Sequence, residues 1–180
     1  QKGTITVHKT DSETGKPVTE AEAVFEIHAK TDIITGDGTI RYKAGELVDT
    51  LTTTGGSAAS KPLYLGTYIV TEKTAPEGYV LNPEPQEVTL RYGGQTVELV
   101  TESVIFANAP QKGQIVVQKN DAESGKPITA SPAVFEIRAK ADIVTGDGTI
   151  RYKAGELVDT LTTTGGSATS KPLYLGTYTV

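Results

Sequence analysis

Two tandem antiparallel β-sandwiches are what this sequence predicts, on three observations. Apolar and polar residues alternate along short segments, with no apolar stripe at helical spacing. Turn residues interrupt those segments at short intervals, as in Gly36-Asp37-Gly38, Gly55-Gly56-Ser57 and Ala75-Pro76-Glu77-Gly78. The chain also repeats itself. Gln1-Lys2-Gly3 returns as Gln111-Lys112-Gly113, and at that offset roughly 55 of 70 aligned positions are identical.

The elements follow in order from β-branched and aromatic residues at every second position. Residues 4–9 alternate around Ile5 and Val7, and a turn at Glu13-Thr14-Gly15-Lys16-Pro17 ends them. Residues 23–30 alternate around Phe25 and Ile27, and residues 32–45 form a turn-rich insertion expected to fold as a hairpin over one edge. Further strands are expected at 63–72, 87–92, 96–100 and 103–107, with Gly93-Gly94 as a turn. The repeat places one unit at residues 1–110 and a second at 111–180. The second ends at the counterpart of Val70, so it is expected to be C-terminally incomplete, and either frayed or completed by strands of a neighbouring molecule. The first residue is Gln rather than Met, as expected of a piece of a longer protein.

Composition excludes several classes. The 180 residues carry 17 Lys+Arg against 22 Asp+Glu, a net charge of −5, which disfavours a nucleic-acid binder or a basic membrane-surface module. With no cysteine there is no disulfide, thiolate nucleophile or Cys-based metal site, and two histidines leave little for an imidazole centre. No apolar run approaches the length of a membrane span. Neither cofactor nor metal is expected.

Strand parity picks out three polar residues. In the first strand Ile5, Val7 and Lys9 share a face, and the second copy keeps that face as Ile115, Val117 and Lys119 while changing the other. Glu72 continues the row of Tyr68 and Val70, and Asn108 that of Val104 and Phe106. Burial disfavours the charged forms of an amine and an acid, so such groups must pair or become neutral. A neutral Lys9 amine is a nucleophile, and the Asn108 amide is an electrophile with ammonia as leaving group. A protonated Glu72 would polarise the amide carbonyl and pass a proton to the leaving nitrogen. The product is an isopeptide bond between the first and last strands. Two other readings stay open at this point: a buried Lys–Glu ion pair with Asn as hydrogen-bond partner, or a snorkelling surface lysine beside a capping asparagine.

Lys9-Thr10-Asp11 followed by Glu13-Thr14-Gly15-Lys16-Pro17, the run Leu63-Tyr64-Leu65-Gly66-Thr67-Tyr68 continuing through Glu72-Lys73-Thr74-Ala75-Pro76-Glu77-Gly78-Tyr79, and Phe106-Ala107-Asn108 together resemble the Cna B-type repeat. This is the prealbumin-like, SpaA-type pilin domain of Gram-positive surface adhesins and pilins. The resemblance implies an all-β fold of tandem Ig-like, prealbumin-like antiparallel β-sandwiches. It also implies a spontaneous Lys–Asn bond assisted by a buried acid, with Lys9 as the amine, Glu72 as the acid and Asn108 as the acceptor. In the second repeat only the lysine, Lys119, has a counterpart, so the resemblance assigns no bond there.

The function expected is a stalk or spacer repeat of a cell-wall-anchored bacterial adhesin or pilus protein, extracellular, with neighbouring repeats as its partners and no membrane insertion in this segment. It would not be an enzyme, because the reactive trio consumes itself once. The alternative is an adhesive module that binds a host matrix protein or glycan, with Tyr42, Tyr64, Tyr79 and Tyr92 as a candidate patch. Repetition favours the spacer, since copying adds reach. Weaker signals point to surface roles. Asp32, Asp37 and Asp49 lack calcium-loop spacing and suit a hairpin turn. His8 lies on the variable face, and His28, Glu20 and Glu22 are replaced in the second copy.

Overall fold

The computed structural model describes all 180 residues, as strands and turns with no helix. The chain divides into two compact units, the first holding Gln1–Pro110 and the second the bulk of Gln111–Val180.

The first unit has ten strands: β1 (Lys2–Asp11), β2 (Val24–Ala29), β3 (Ile33–Ile34), β4 (Ile40–Tyr42), β5 (Leu47–Thr52), β6 (Ser57–Ala59), β7 (Leu63–Tyr64), β8 (Gly66–Thr74), β9 (Gln86–Leu90) and β10 (Leu99–Asn108). One sheet runs β10-β1-β6, with β7 also paired to β1, and the other runs β5-β2-β8-β9. All pairs are antiparallel except β1 with β10, the first and last strands, which run side by side in parallel from Lys2↔Leu99 to Asp11↔Asn108. Alternation puts Ile5 and Val7 of β1, Phe25 and Ile27 of β2, Tyr68 and Val70 of β8, Val88 and Leu90 of β9 and Phe106 of β10 into one core between the sheets. Phe25 and Phe106 meet across it with ring centroids 4.9 Å apart.

Two local expectations change, and the expected hairpin gains a core residue. The stretch 63–72 breaks into β7 and β8 at a bend at Leu65, because β7 pairs with β1 and β8 crosses to the other sheet to pair with β2 and β9. Residues 96–100 and 103–107 are not two strands. Thr96 lies in a turn, and one continuous strand, β10, runs from Leu99 because it pairs with β1 along its whole length. The insertion forms the β3–β4 hairpin, and Ile33 drops from it into the core.

The second unit has β11 (Lys112–Gly113), β12 (Val116–Gln118), β13 (Val134–Ala139), β14 (Ile143–Val144), β15 (Ile150–Tyr152), β16 (Leu157–Thr162), β17 (Ser167–Thr169), β18 (Leu173–Tyr174) and β19 (Tyr178–Thr179). β13 lies between β16 and β19, and β12 pairs with β17 alone. Its core gathers around Ile137, Ala139, Val158 and Leu161.

Candidate functional site

β1 carries Gly3, Ile5, Val7, Lys9 and Asp11 inward, so the row that begins as apolar core ends in a lysine and an aspartate, both 0% exposed. The backbone around Lys9 is held on one edge: its N–H donates to Gly56 O (2.8 Å) and its carbonyl accepts from Val18 N (2.9 Å). Gly56 reaches that position with φ +86°, and a Cβ there would stand 2.9 Å from the Cβ of Pro17. From the facing sheet β8 delivers Glu72, 5% exposed, and from the neighbouring parallel strand β10 delivers Asn108, 2% exposed. The three residues selected by parity therefore converge in the core.

Lys9 Nζ donates to the carbonyl oxygen of Phe106 (2.7 Å) and lies 3.7 Å from Glu72 Oε1. Asn108 Nδ2 donates to both Glu72 oxygens, at 3.0 and 2.8 Å, and the N–H of Asn82 donates to Oε2 at 2.8 Å. Asn108 Oδ1 is buried without a hydrogen-bond partner, a state that costs on the order of 1–3 kcal/mol. Burial pulls the Lys9 amine down to about 8, against the charges of Glu72 and Asp11, which pull it back up. An amine so placed is neutral in a useful fraction of molecules at neutral pH. The carbonyl of Asn108 has no competing donor.

Parity applied one residue further would have found Asp11, which completes the inward row of β1 and lies in register with Asn108. Its Oδ1 accepts from the N–H groups of Glu13 (2.7 Å) and Thr14 (3.1 Å), and its Oδ2 accepts from the Tyr79 hydroxyl (3.0 Å). The carboxylate is thus tied to the turn that follows β1. Tyr79, 6% exposed, is a buried partner of that turn, and burial together with the Asp11 bond pushes its hydroxyl up.

The other candidates are dispersed. Asp37 accepts from Thr35 Oγ1, Thr39 N and Thr39 Oγ1 within the β3–β4 turn, which with Arg41 holds its carboxyl down at about 2. Asp32 accepts from Ala44 N, and Asp49 from Lys61 N. Asp32 and Asp37 serve the insertion and its turn, and Asp49 ties β5 to the segment before β7. Tyr42 packs edge-on against Tyr64 and Tyr68, whereas Tyr92 is exposed. His8 is exposed, and Lys119 is exposed where Lys9 is buried.

A family model described as SpaA, prealbumin-like fold domain, matches residues 3–104, more than half of the chain. The chain belongs to this family. The matched stretch of the SpaA prealbumin-like domain contains Lys9 and Glu72 and stops short of Asn108. Among solved structures, the Bacillus anthracis TIE protein is similar in fold, with a TM-score of 0.62 and 23% identity over 98% of this chain. The chain spans 27% of that protein's length. The group B streptococcus pilus 2b backbone protein aligns with 26% identity over 61% of this SpaA-family chain and 42% of its own, with a TM-score of 0.43. The major pilin SpaD of Corynebacterium diphtheriae aligns with 19% identity over 79% of this chain and 41% of its own, with a TM-score of 0.46. No curated protein sequence matches the chain. No helix is long and apolar enough to cross a membrane.

Proposed function

We propose that this chain supplies structural spacer repeats of a Gram-positive surface pilus or adhesin protein, outside the cell and anchored to its wall, and that residues 1–110 form one repeat locked by a Lys9–Asn108 isopeptide bond. Residues 111–180 belong to a second repeat of the same kind, and neighbouring repeats are the first partners. The observation that carries the cross-link is the convergence of a buried amine, a buried acid and a buried amide whose carbonyl oxygen has no partner.

The reaction needs no other reagent. The neutral Lys9 Nζ attacks Asn108 Cγ, forming the Nζ–Cγ bond. The proton that Lys9 gives up passes to Glu72, 3.7 Å away, and a half-turn of the amide about Cβ–Cγ sets Oδ1 against that carboxyl group, which stabilises the developing oxyanion. Glu72 then delivers its proton to Nδ2 and takes one from the former lysine nitrogen. The Cγ–Nδ2 bond breaks and ammonia leaves. Burial holds the groups in contact for as long as the domain stays folded, which supplies the effective molarity that a slow amide exchange requires. The chemistry runs once per repeat, so the domain is a structural part with no turnover.

Intact mass of the 180-residue chain in denaturant tests this. The expected mass is short by one NH3, with a Lys9–Asn108 linked peptide after digestion. Lys9→Ala, Glu72→Ala and Asn108→Ala should each keep the full mass and melt lower, while Lys73→Ala, on the outward face of β8, should still lose NH3. A wild-type chain of unreduced mass overturns the cross-link.

A further inference from the structure

β10 lies at the end of its sheet, so one side of its backbone has no strand beside it. Such an edge ordinarily exposes carbonyls to solvent or to another chain. Here alternate carbonyls on that side are occupied by one segment, residues 80–86. The Gln86 side-chain amide donates to Ile105 O (2.6 Å), the Asn82 side-chain amide to Ala107 O (3.4 Å), and the Val80 N–H to Ala109 O (2.9 Å). The two-residue spacing of the acceptors matches the pleat of a strand edge.

Asn82 is the node of this segment. Its backbone N–H holds Glu72 Oε2, its Oδ1 accepts from Glu84 N (3.1 Å), and that bond turns its Nδ2 toward Ala107 O. One residue thus ties the acid to the strand that carries the acceptor amide. Pro83 and Pro85 follow the node and have no N–H, so the segment stays extended without becoming a further edge strand.

We propose that Asn82 and Gln86 are positioning residues, a side-chain clamp that seats β10 against β1 and so brings Asn108 onto Glu72 before any covalent bond forms. The clamp rests on the hydrogen bonds above, and only its last consequence, faster cross-linking, rests on the isopeptide reading. It also closes the carbonyl side of β10 to pairing with another chain.

The test separates the two. In the 180-residue chain carrying Lys9→Ala, which cannot cross-link, hydrogen exchange of the β10 amides is compared with and without Asn82→Ala and Gln86→Ala. The expected result is exchange about tenfold faster or more in β10, with β2 and β5 unchanged. Gln86→Lys, which keeps a donor on a long stem, should retain protection where Gln86→Ala loses it. In the Lys9 chain, a time course of cell-free synthesis quenched into denaturant should show NH3 loss slowed several-fold by the paired alanine variant. Unchanged β10 exchange overturns the clamp even if the wild-type chain cross-links. Faster exchange with an unaltered rate of NH3 loss overturns the seating role. If the wild-type chain never loses NH3, the isopeptide reading and the seating role fall, and the exchange data alone decide the clamp.

Discussion

Lys9 shows how a single side chain couples burial to chemistry. A lysine at 0% exposure would be costly as an unpaired ammonium, and Glu72 at 3.7 Å and the Phe106 carbonyl at 2.7 Å offset only part of that cost. Its amine therefore falls from 10.5 to about 8. In Asn108→Ala, where the amine stays free, the folded chain releases this proton between about pH 8 and 10.5 while the unfolded chain retains it. The unfolded state then binds more protons, so stability should rise with pH across that window, by on the order of 3 kcal/mol. Tyr68 and Tyr79, pushed up by burial, act in the opposite sense above pH 10. The Lys9 contribution is accordingly read as the difference between Asn108→Ala and Asn108→Ala/Lys9→Met in urea titrations at successive pH values. A flat difference would mean that Lys9 is not desolvated. Lys9, Glu72 and Asn108 were legible because strand parity is strict: a polar residue that continues an apolar row must be buried or end the strand. Asp11 obeyed the same rule. Its burial is masked in the sequence because its neighbours Ser12 to Gly15 read as a turn, where an aspartate usually caps exposed backbone.

At the scale of elements, the parallel β1–β10 pair governs the first unit. Gly3 lies tight against β10: a Cβ would lie 2.5 Å from Val100 Cγ2 and 3.0 Å from Val100 O. Gly113, in the identical Gln-Lys-Gly context, has nothing within 4 Å of the same position. Gly3→Ala should therefore destabilise the first unit by about 1–3 kcal/mol, because a backbone atom cannot move aside as a side chain can. Gly113→Ala should change stability by about 0.5 kcal/mol or less. Thermal melts of the two variants check this, and equal shifts would contradict the close approach. The same pairing explains why β10 is one strand where two were expected. Glu102 and Ser103 are both exposed and polar, and only their register against Ile5 and Thr6 keeps the chain extended. Strand pairing is non-local, so alternation within a short window does not reveal it.

Across the whole first unit, the proposed bond would join residues near its two ends. Closing a loop of about a hundred residues removes unfolded-state entropy worth roughly 4–5 kcal/mol by the chain-entropy treatment of cross-links. Asn108→Ala should lower the unfolding free energy of the first unit by that amount, seen as a lower denaturant midpoint. An unchanged midpoint in a chain shown to cross-link would mean that the bond adds strain equal to its entropic gain. Mechanically, force entering β1 and leaving β10 would pass through the covalent link at Lys9 and Asn108. It would not peel hydrogen bonds between the strands, which suits a stalk.

The sequence by itself determined the all-β class, the repeat, and the inward rows that end in Lys9, Glu72 and Asn108. These follow from period-two side-chain geometry, which is local and needs no knowledge of neighbours. Only the tertiary structure decided that Lys9 bonds the Phe106 carbonyl while Asn108 bonds Glu72. Only it decided that Gly3 is crowded by Val100, and that Asn82 and Gln86 grip the carbonyls of β10. Burial and close approach depend on which strand lies alongside, and β1 has β10 beside it over its whole length.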